Sequence, residues 1–237
     1  LAEADRRQPR PFNLDGYNKG CREIGQRGLP ATGLSHPLGN LVRQSTMDEV
    51  YGWLITERAL AHRFLESTNS QVVESLNALR TLELVDAPIF GTAALEMLIP
   101  PWLGEAHFRE FVFPYDKAVN AAVHAIGGRH RAHCHGQCGR FLELFADMGV
   151  DGVEPLEPAP FGDTVLADAK KRVGDRLVLS GNIPSQLFYT MTDDEVRRSV
   201  RQAIRDGAAG GGFTLHETSG SSGLGKTREQ IICHLHK

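Results

Sequence analysis

From about Leu82 onward, short apolar runs alternate with amphipathic segments of helical spacing. The apolar runs fall near residues 84–90, 129–135, 152–156, 177–181 and 212–216. Such alternation is typical of successive βα units, which build a parallel sheet. The sequence therefore predicts an α/β fold with one strand at each of these runs.

The helices between the predicted strands have recognisable ends. Thr192 followed by Glu195 forms a capping-box pattern at a helix start, and Gly207 is predicted to end that helix in the left-handed conformation. Two further helices are predicted over residues 141–148 and 163–173, each followed by a glycine.

The first 81 residues have a different pattern. A turn-rich stretch covers residues 12–40, and two helices are predicted over residues 47–66 and 70–81. We interpret residues 1–237 as a single domain, in which this N-terminal loop and its helices precede the regular βα units of residues 82–237.

Right-handed βα connections leave two architectures, a closed barrel or an open, doubly wound sheet. Open sheets that bind nucleotides usually carry Gly-x-Gly-x-x-Gly after their first strand, and no predicted strand of this chain is followed by that motif. The sequence therefore favours a TIM-type (β/α) barrel, with the open sheet as the alternative.

Composition limits the partners and the compartment. A formal net charge of -3 gives no excess of basic residues for binding nucleic acid. The sequence contains no apolar run long enough for a membrane span, and its first residues lack the apolar core of a signal peptide. Its four cysteines do not form a disulfide pattern. We therefore predict a cytoplasmic protein with reduced thiols and without a nucleic-acid or membrane partner.

His133 and His135 are predicted to lie at the end of a strand. Side chains alternate along a strand, so the two imidazoles point to one face while Cys134 points to the other. Two histidines at this spacing can supply two nitrogen ligands to zinc. The alternative is a hydrogen-bonded polar pair at a barrel mouth, where barrel enzymes place their active sites.

Glu154 and Glu157 accompany the next predicted strand, with Pro155 and Pro158 beside them. Because proline cannot donate to a strand ladder, the prolines mark the point where the strand gives way to a loop. The carboxylates are candidates for binding a metal, for acid–base catalysis or for binding a cation. The alternative is a pair of solvated loop residues.

Three further residues are candidates for binding substrate. Asn182 follows Ser180 and Gly181 at a predicted strand end, where its amide can contact a substrate or cap a turn. Ser219 lies in a polar, glycine-rich loop of residues 218–223, which suits an anionic group or a flexible linker. Asp86, predicted at the end of the first of the regular strands, can bind substrate or cap a turn.

Several motifs together resemble the uroporphyrinogen decarboxylase superfamily over roughly residues 47–230. They include His133-Cys134-His135-Gly136 and the segments 100–102, 108–115, 124–128, 147–157, 179–183 and 211–215. This resemblance implies a (β/α) barrel and one of two chemistries. These are metal-free decarboxylation of uroporphyrinogen in haem biosynthesis and zinc-dependent methyl transfer between a corrinoid and a thiol.

The resemblance favours methyl transfer for this chain. The methyltransferases carry His-x-Cys where this chain has His133 and His135, and zinc accepts either ligand type. It implies zinc held by these histidines and by a third ligand such as Glu157, with a corrinoid methyl donor and a corrinoid protein as partner. The alternatives are uroporphyrinogen decarboxylase, which binds a carboxylated tetrapyrrole, and a non-catalytic barrel fragment that binds a small molecule.

The resemblance also has gaps. The cysteine or histidine that the superfamily places in its last loop is missing near Ser219, which leaves His216 and Glu217 as substitutes, with Glu154 as a further catalytic candidate. N-terminal arginines and an aspartate that the decarboxylases use are not found. The chain is therefore expected to lack the N-terminal strands of the barrel, and either to be poorly stable or to associate with other copies through an exposed sheet edge.

Overall fold

The computed structural model describes residues 12–34, 36–42, 45–188 and 190–219. Its α-helices are α1 (Leu14–Ile24), α2 (Pro37–Val42), α3 (Met47–Thr56), α4 (Arg58–Ala78), α5 (Glu105–Phe111), α6 (Phe113–Ala125), α7 (Leu142–Asp147), α8 (Leu166–Val173) and α9 (Asp193–Gly207). Its strands are β1 (Ala31–Gly33), β2 (Ile89–Thr92), β3 (Arg129–His133), β4 (Gly152–Leu156), β5 (Val178–Ile183) and β6 (Phe213–Glu217). In these parts of the chain, no helix has both the length and the apolar character that crossing a membrane requires.

The chain forms two compact units. The first contains Leu1–His133 and Leu144–Asp151, and the second contains Cys134–Glu143 and Gly152–Lys237. In each unit, helices alternate with parallel strands that pair in chain order, β1 with β2 and β2 with β3 in the first, β4 with β5 and β5 with β6 in the second. The α/β class predicted from the alternation is confirmed.

The strand predicted over residues 84–90 begins later than expected. In the structure β2 starts at Ile89, directly after Pro88. Proline has no N–H for the ladder, but its carbonyl oxygen accepts a hydrogen bond from the Arg129 N–H at 3.0 Å. Asp86 therefore lies before the amino-terminal end of β2, and the prediction that it ends a strand is wrong.

The N-terminal region contains more regular structure than the turn-rich pattern predicts. Helix α1 begins after Asn13, whose side chain accepts from the Gly16 N–H at 2.9 Å. The Asn18 side chain donates to the Glu83 carbonyl at 2.9 Å and accepts from the Val85 N–H at 3.0 Å. Contacts to residues distant in sequence thus stabilise a helix that its glycines disfavour.

The helical part before residue 82 divides at a different point from the one predicted. Glu57 interrupts the helix with φ -125° and ψ 41°, and α4 then runs through the expected break at residues 67–69. The Thr68 hydroxyl donates to the Phe64 carbonyl at 2.9 Å. A hydroxyl that bonds back in this way is compatible with a continuing helix.

Apolar side chains from α4, the 3₁₀ turn that follows it, α6 and β2 form a core cluster in the first unit. Its buried members are Leu76, Leu79, Phe90, Val119, Ala122 and Val123. Each is at most 6% exposed, so the cluster excludes water from the face of α6 that it covers.

In the second unit, strand β4 has the predicted bounds, and α9 begins with the predicted capping box of Thr192 and Glu195. Gly207 is the last residue of α9, but the first glycine after this helix that has a positive φ is Gly210. A Cβ on Gly207 would lie 2.7 Å from the Phe213 ring. Gly207 is therefore needed for close packing, and its predicted left-handed conformation is wrong.

Asp116 on α6 gives a prediction about pH-dependent stability. Its side chain is buried, and desolvation raises its carboxyl pKa to about 7. Between its unfolded and folded pKa values the native state holds a proton that the unfolded state has released, so its contribution to stability falls as pH rises. The unfolding free energy of Asp116→Asn minus that of wild type should therefore increase by about 2 kcal/mol from pH 5 to pH 7. Urea denaturation at both pH values measures this difference.

Asp175→Asn is the matched control, because Asp175 is exposed in the segment between α8 and β5. Its stability difference from wild type should stay constant over the same pH range. A constant difference for Asp116→Asn as well would show that the Asp116 carboxyl is ionised in the folded state.

Candidate active site

The carboxyl ends of β4, β5 and β6 bring polar side chains together in the second unit. Strands β5 and β6 pair in register, with Asn182 opposite His216 and Ile183 opposite Glu217. Glu157 follows the last residue of β4 directly. Enzymes with (β/α)-barrel folds place their catalytic groups at this end of their strands. This edge is therefore the candidate site.

The Glu157 carboxylate is the centre of the site. Its Oε2 accepts from the Gly136 N–H at 2.6 Å, and its Oε1 accepts from the Gln186 side-chain amide at 2.9 Å. His135 Nδ1 lies 3.3 Å from Oε1. Glu157 is 4% exposed, so these contacts replace water as its partners. They hold the carboxylate against the His135 imidazole.

The surroundings of Glu157 favour its charged form. Burial acts to raise the pKa of the carboxyl, but hydrogen bonds from His135, Gly136 and Gln186 together outweigh it and lower the pKa. Glu157 is therefore ionised at neutral pH, and its charge lies beside the His135 imidazole, whose side chain is 36% exposed.

Gln186 and Thr218 were not predicted as site residues. The Thr218 side chain is fully buried, and its hydroxyl donates to Gln186 Oε1 at 3.1 Å. Gln186 follows β5 and Thr218 follows β6. Asn182 was selected because it is a polar residue at a strand end, and the same criterion, applied just beyond the strand ends, would have found Gln186 and Thr218.

Two predicted substrate-binding residues make backbone contacts. The Asn182 amide donates to the Leu156 carbonyl at 2.8 Å. Ser219 contacts Ser185, whose hydroxyl donates to the Ser219 carbonyl at 2.6 Å. These contacts connect the strand ends, and substrate binding by Asn182 and Ser219 stays a prediction. The remainder of the glycine-rich loop, from Gly220, lies outside the described residues.

The three predicted catalytic residues lie on strands of the second unit. Glu154 is within β4 and 9% exposed. His216 and Glu217 end β6, where the exposed His216 imidazole contacts the Glu217 carbonyl. Their catalytic roles stay predictions.

Asp86 lies in the first unit, at the amino-terminal side of β2. Its backbone carbonyl accepts from the Tyr17 hydroxyl at 3.1 Å. It lines a cavity of about 690 Å³ together with Arg80 and Glu83. Because this position is on the amino-terminal side of its strand, it is not the position expected of an active-site residue in a barrel.

Burial alternates along the motif that begins with His133. His133, the last residue of β3, is half-buried, Cys134 is fully buried, and His135 is half-buried again. The Cys134 N–H donates to the Glu154 carbonyl at 2.7 Å. This alternation agrees with the predicted orientation, in which Cys134 points to the face opposite the histidines.

The described residues show no grouped set of donors for the zinc predicted at His133, His135 and Glu157. Within residues 12–34, 36–42, 45–188 and 190–219, no three His, Cys, Asp or Glu side chains are grouped as a metal site requires. The Glu157 oxygens already accept from Gly136 and Gln186. We therefore derive no step through a metal, and zinc binding stays a prediction.

Comparison with known proteins finds one matching family model and several similar sequences. The family model described as "Uroporphyrinogen decarboxylase (URO-D)" matches residues 24–216. The uroporphyrinogen decarboxylase of Cupriavidus necator is 30% identical in an alignment of 171 residues that covers 66% of this chain and 41% of that protein. The uroporphyrinogen decarboxylase of Chromohalobacter salexigens is 28% identical over 69% of this chain and 44% of that protein. The chain thus spans less than half the length of these relatives.

A solved structure is similar as well. A methyltransferase from Methanosarcina mazei superposes with a TM-score of 0.70 and 16% sequence identity, covering 94% of this chain and 62% of that chain. At this identity the match shows the fold alone. It supports the predicted TIM-type (β/α) barrel class over the open, doubly wound sheet.

Proposed function

Because the chain belongs to the uroporphyrinogen decarboxylase family, we propose that it is part of a carboxy-lyase, an enzyme that removes CO₂ from its substrate. In this proposal the chain supplies the group that protonates the carbon from which CO₂ has left. The observation that carries the proposal is the pairing of His135 with the buried Glu157. An imidazole held by a carboxylate is a common proton donor and acceptor in enzymes. The curated relatives support the reaction class by their names.

The pair suits the proton transfer that decarboxylation requires. When the bond to the carboxylate carbon breaks, CO₂ departs and the bonding electrons remain on the substrate carbon. That carbon then takes a proton from the His135 imidazolium, and the ring becomes neutral. The ionised Glu157 stabilises the imidazolium before the transfer and orients the ring through Nδ1.

The proposed substrate is a porphyrinogen with carboxylated side chains, as the names of the curated relatives suggest. Incubating the purified protein with uroporphyrinogen under anaerobic conditions tests this directly. We expect CO₂ release and products with fewer carboxyl groups, separated by chromatography. If the substrate is recovered unchanged, with a curated relative active in parallel, the carboxy-lyase proposal is wrong.

Zinc-dependent methyl transfer is the second candidate, and the His133-x-His135 motif favours it. The two candidates differ in metal content, which elemental analysis of protein purified without added zinc measures. We expect far less than one zinc per chain, because the described residues contain no group of three His, Cys, Asp or Glu side chains that could hold a metal ion.

The contrary result would be about one zinc per chain in the wild-type protein. In that case His133→Ala and His135→Ala should each lower the zinc content by at least about tenfold, as the loss of a metal ligand does. Cys134→Ser is the matched control, since the Cys134 side chain points to the opposite face and should not affect such a site. That result would favour methyl transfer, with a corrinoid protein as the methyl donor.

A further inference from the structure

A line of hydrogen bonds connects the carboxyl ends of β4, β5 and β6 through three side chains. Thr218 Oγ1 donates to Gln186 Oε1 at 3.1 Å, and Gln186 Nε2 donates to Glu157 Oε1 at 2.9 Å. The same Glu157 oxygen lies 3.3 Å from His135 Nδ1. Gln186 thus occupies the position between a buried hydroxyl and the catalytic carboxylate.

The partners of Gln186 fix the orientation of its amide. An ionised carboxylate accepts hydrogen bonds only, so the Gln186 NH₂ group must face Glu157 and its oxygen must face Thr218. The Thr218 hydroxyl also lies 3.3 Å from the Ile183 carbonyl, but that oxygen already accepts the Thr218 backbone N–H at 2.9 Å. The contact with Gln186 Oε1 is the shorter of the two, at 3.1 Å, and we take it as the hydrogen bond of the Thr218 hydroxyl.

We propose that Gln186 and Thr218 are positioning residues, in which Thr218 sets the orientation of the Gln186 amide and Gln186 holds the Glu157 carboxylate against His135. This inference rests on the proposed function for its effect on turnover, but its geometric part stands without it. Thr218 and Glu157 are 0% and 4% exposed, so water does not replace a lost partner easily.

Thr218→Val and Thr218→Ser form a matched pair of variants. Valine keeps the shape of threonine but removes the hydroxyl, whereas serine keeps the hydroxyl. Solvent exchange of the Gln186 side-chain NH₂ protons, measured by NMR, should become about five- to tenfold faster in Thr218→Val, because one directing hydrogen bond is lost. Thr218→Ser should exchange at the wild-type rate.

In the decarboxylation assay, kcat of Thr218→Val should fall about tenfold with KM nearly unchanged, since misplacement of a catalytic group affects the transition state. Thr218→Ser should restore kcat. Ser185→Ala removes a neighbouring hydroxyl that contacts Ser219 and not Gln186, and its Gln186 exchange rate should equal that of wild type.

Equal exchange rates in Thr218→Val and Thr218→Ser, both folded by circular dichroism, would overturn the proposal. If the exchange rates differ as expected but the wild-type protein does not decarboxylate uroporphyrinogen, the positioning role of Thr218 stands and the proposed reaction fails. If the protein is active and the exchange rates do not differ, the reaction stands and the positioning role fails.

Discussion

Replacing Glu157 with glutamine will lower the turnover of the proposed decarboxylation by about 100-fold or more, the usual contribution of general acid–base catalysis. Glutamine has nearly the same shape but no charge, so it cannot stabilise a His135 imidazolium. Its NH₂ group would also meet donors at Gly136 or Gln186, where Glu157 now accepts hydrogen bonds. Steady-state kinetics with uroporphyrinogen measure the loss.

Glu143→Gln is the matched control for this variant. Glu143 is also an ionised carboxylate in the second unit, but it pairs with Arg172 on the helical surface. Turnover of Glu143→Gln should stay within about twofold of wild type, as expected of a surface ion pair. If Glu157→Gln melts like wild type and retains most of its turnover, Glu157 does not take part in the reaction.

His135→Gln distinguishes the acid–base pair from a structural role of the carboxylate alone. It removes the proton donor but leaves the Gly136 and Gln186 contacts of Glu157 in place. We expect a loss of turnover similar to that of Glu157→Gln, because residues that act as a unit have non-additive effects. A double variant no slower than either single variant would support one shared function.

The sequence predicted strands best where turn residues delimit them on both sides. Gly152 and Pro158 enclose one apolar run, and β4 has the predicted bounds. The run that begins at Leu84 lacks such a boundary before it, so Pro88 was the only signal that β2 begins after it. Short-range patterns thus located the strands, but the hydrogen-bond ladder determined where β2 begins.

Helix α1 could not be predicted from local pattern for a different reason. Its glycines lower its intrinsic helix propensity, and part of its stability comes from contacts to the segment 83–86. Such contacts join residues more than sixty positions apart. No window of sequence that is short enough to show helical periodicity contains both partners.

The same distance limits what the sequence reveals about the site. Strand-end reasoning selected His135 and Glu157, because spacing shows which groups are near. Spacing does not show what they bind, and their assignment to zinc stays a prediction. The donors at Gly136 and Gln186 determine that Glu157 accepts hydrogen bonds, and a backbone N–H has no sequence signature. The role of Gln186 depends on Thr218, which lies 32 residues away.

Gly162 lies where the loop after β4 closes on the candidate site. Its N–H donates to the Pro158 carbonyl at 3.0 Å. A Cβ at this position would lie 2.5 Å from the carbonyl oxygens of both Glu157 and Gly136. Both contacts are with backbone atoms, which cannot rotate away as a flexible side chain can. Close packing at Gly162 therefore keeps the Gly136 and Glu157 segments next to each other.

Gly162→Ala should destabilise the protein by about 2 kcal/mol or more, because overpacking against backbone forces the two segments apart. Turnover should fall as well, since the Gly136 N–H would move away from the Glu157 carboxylate. Gly20→Ala in α1 is the control. Apart from its chain neighbours and the backbone of its own helix, no atom of the described residues lies within 4 Å of a Cβ placed there, and alanine should stabilise that helix by up to about 1 kcal/mol. Urea denaturation of both variants measures the difference. A Gly162→Ala protein as stable and as active as wild type would show that the approach of these segments is not needed to hold Glu157 in place.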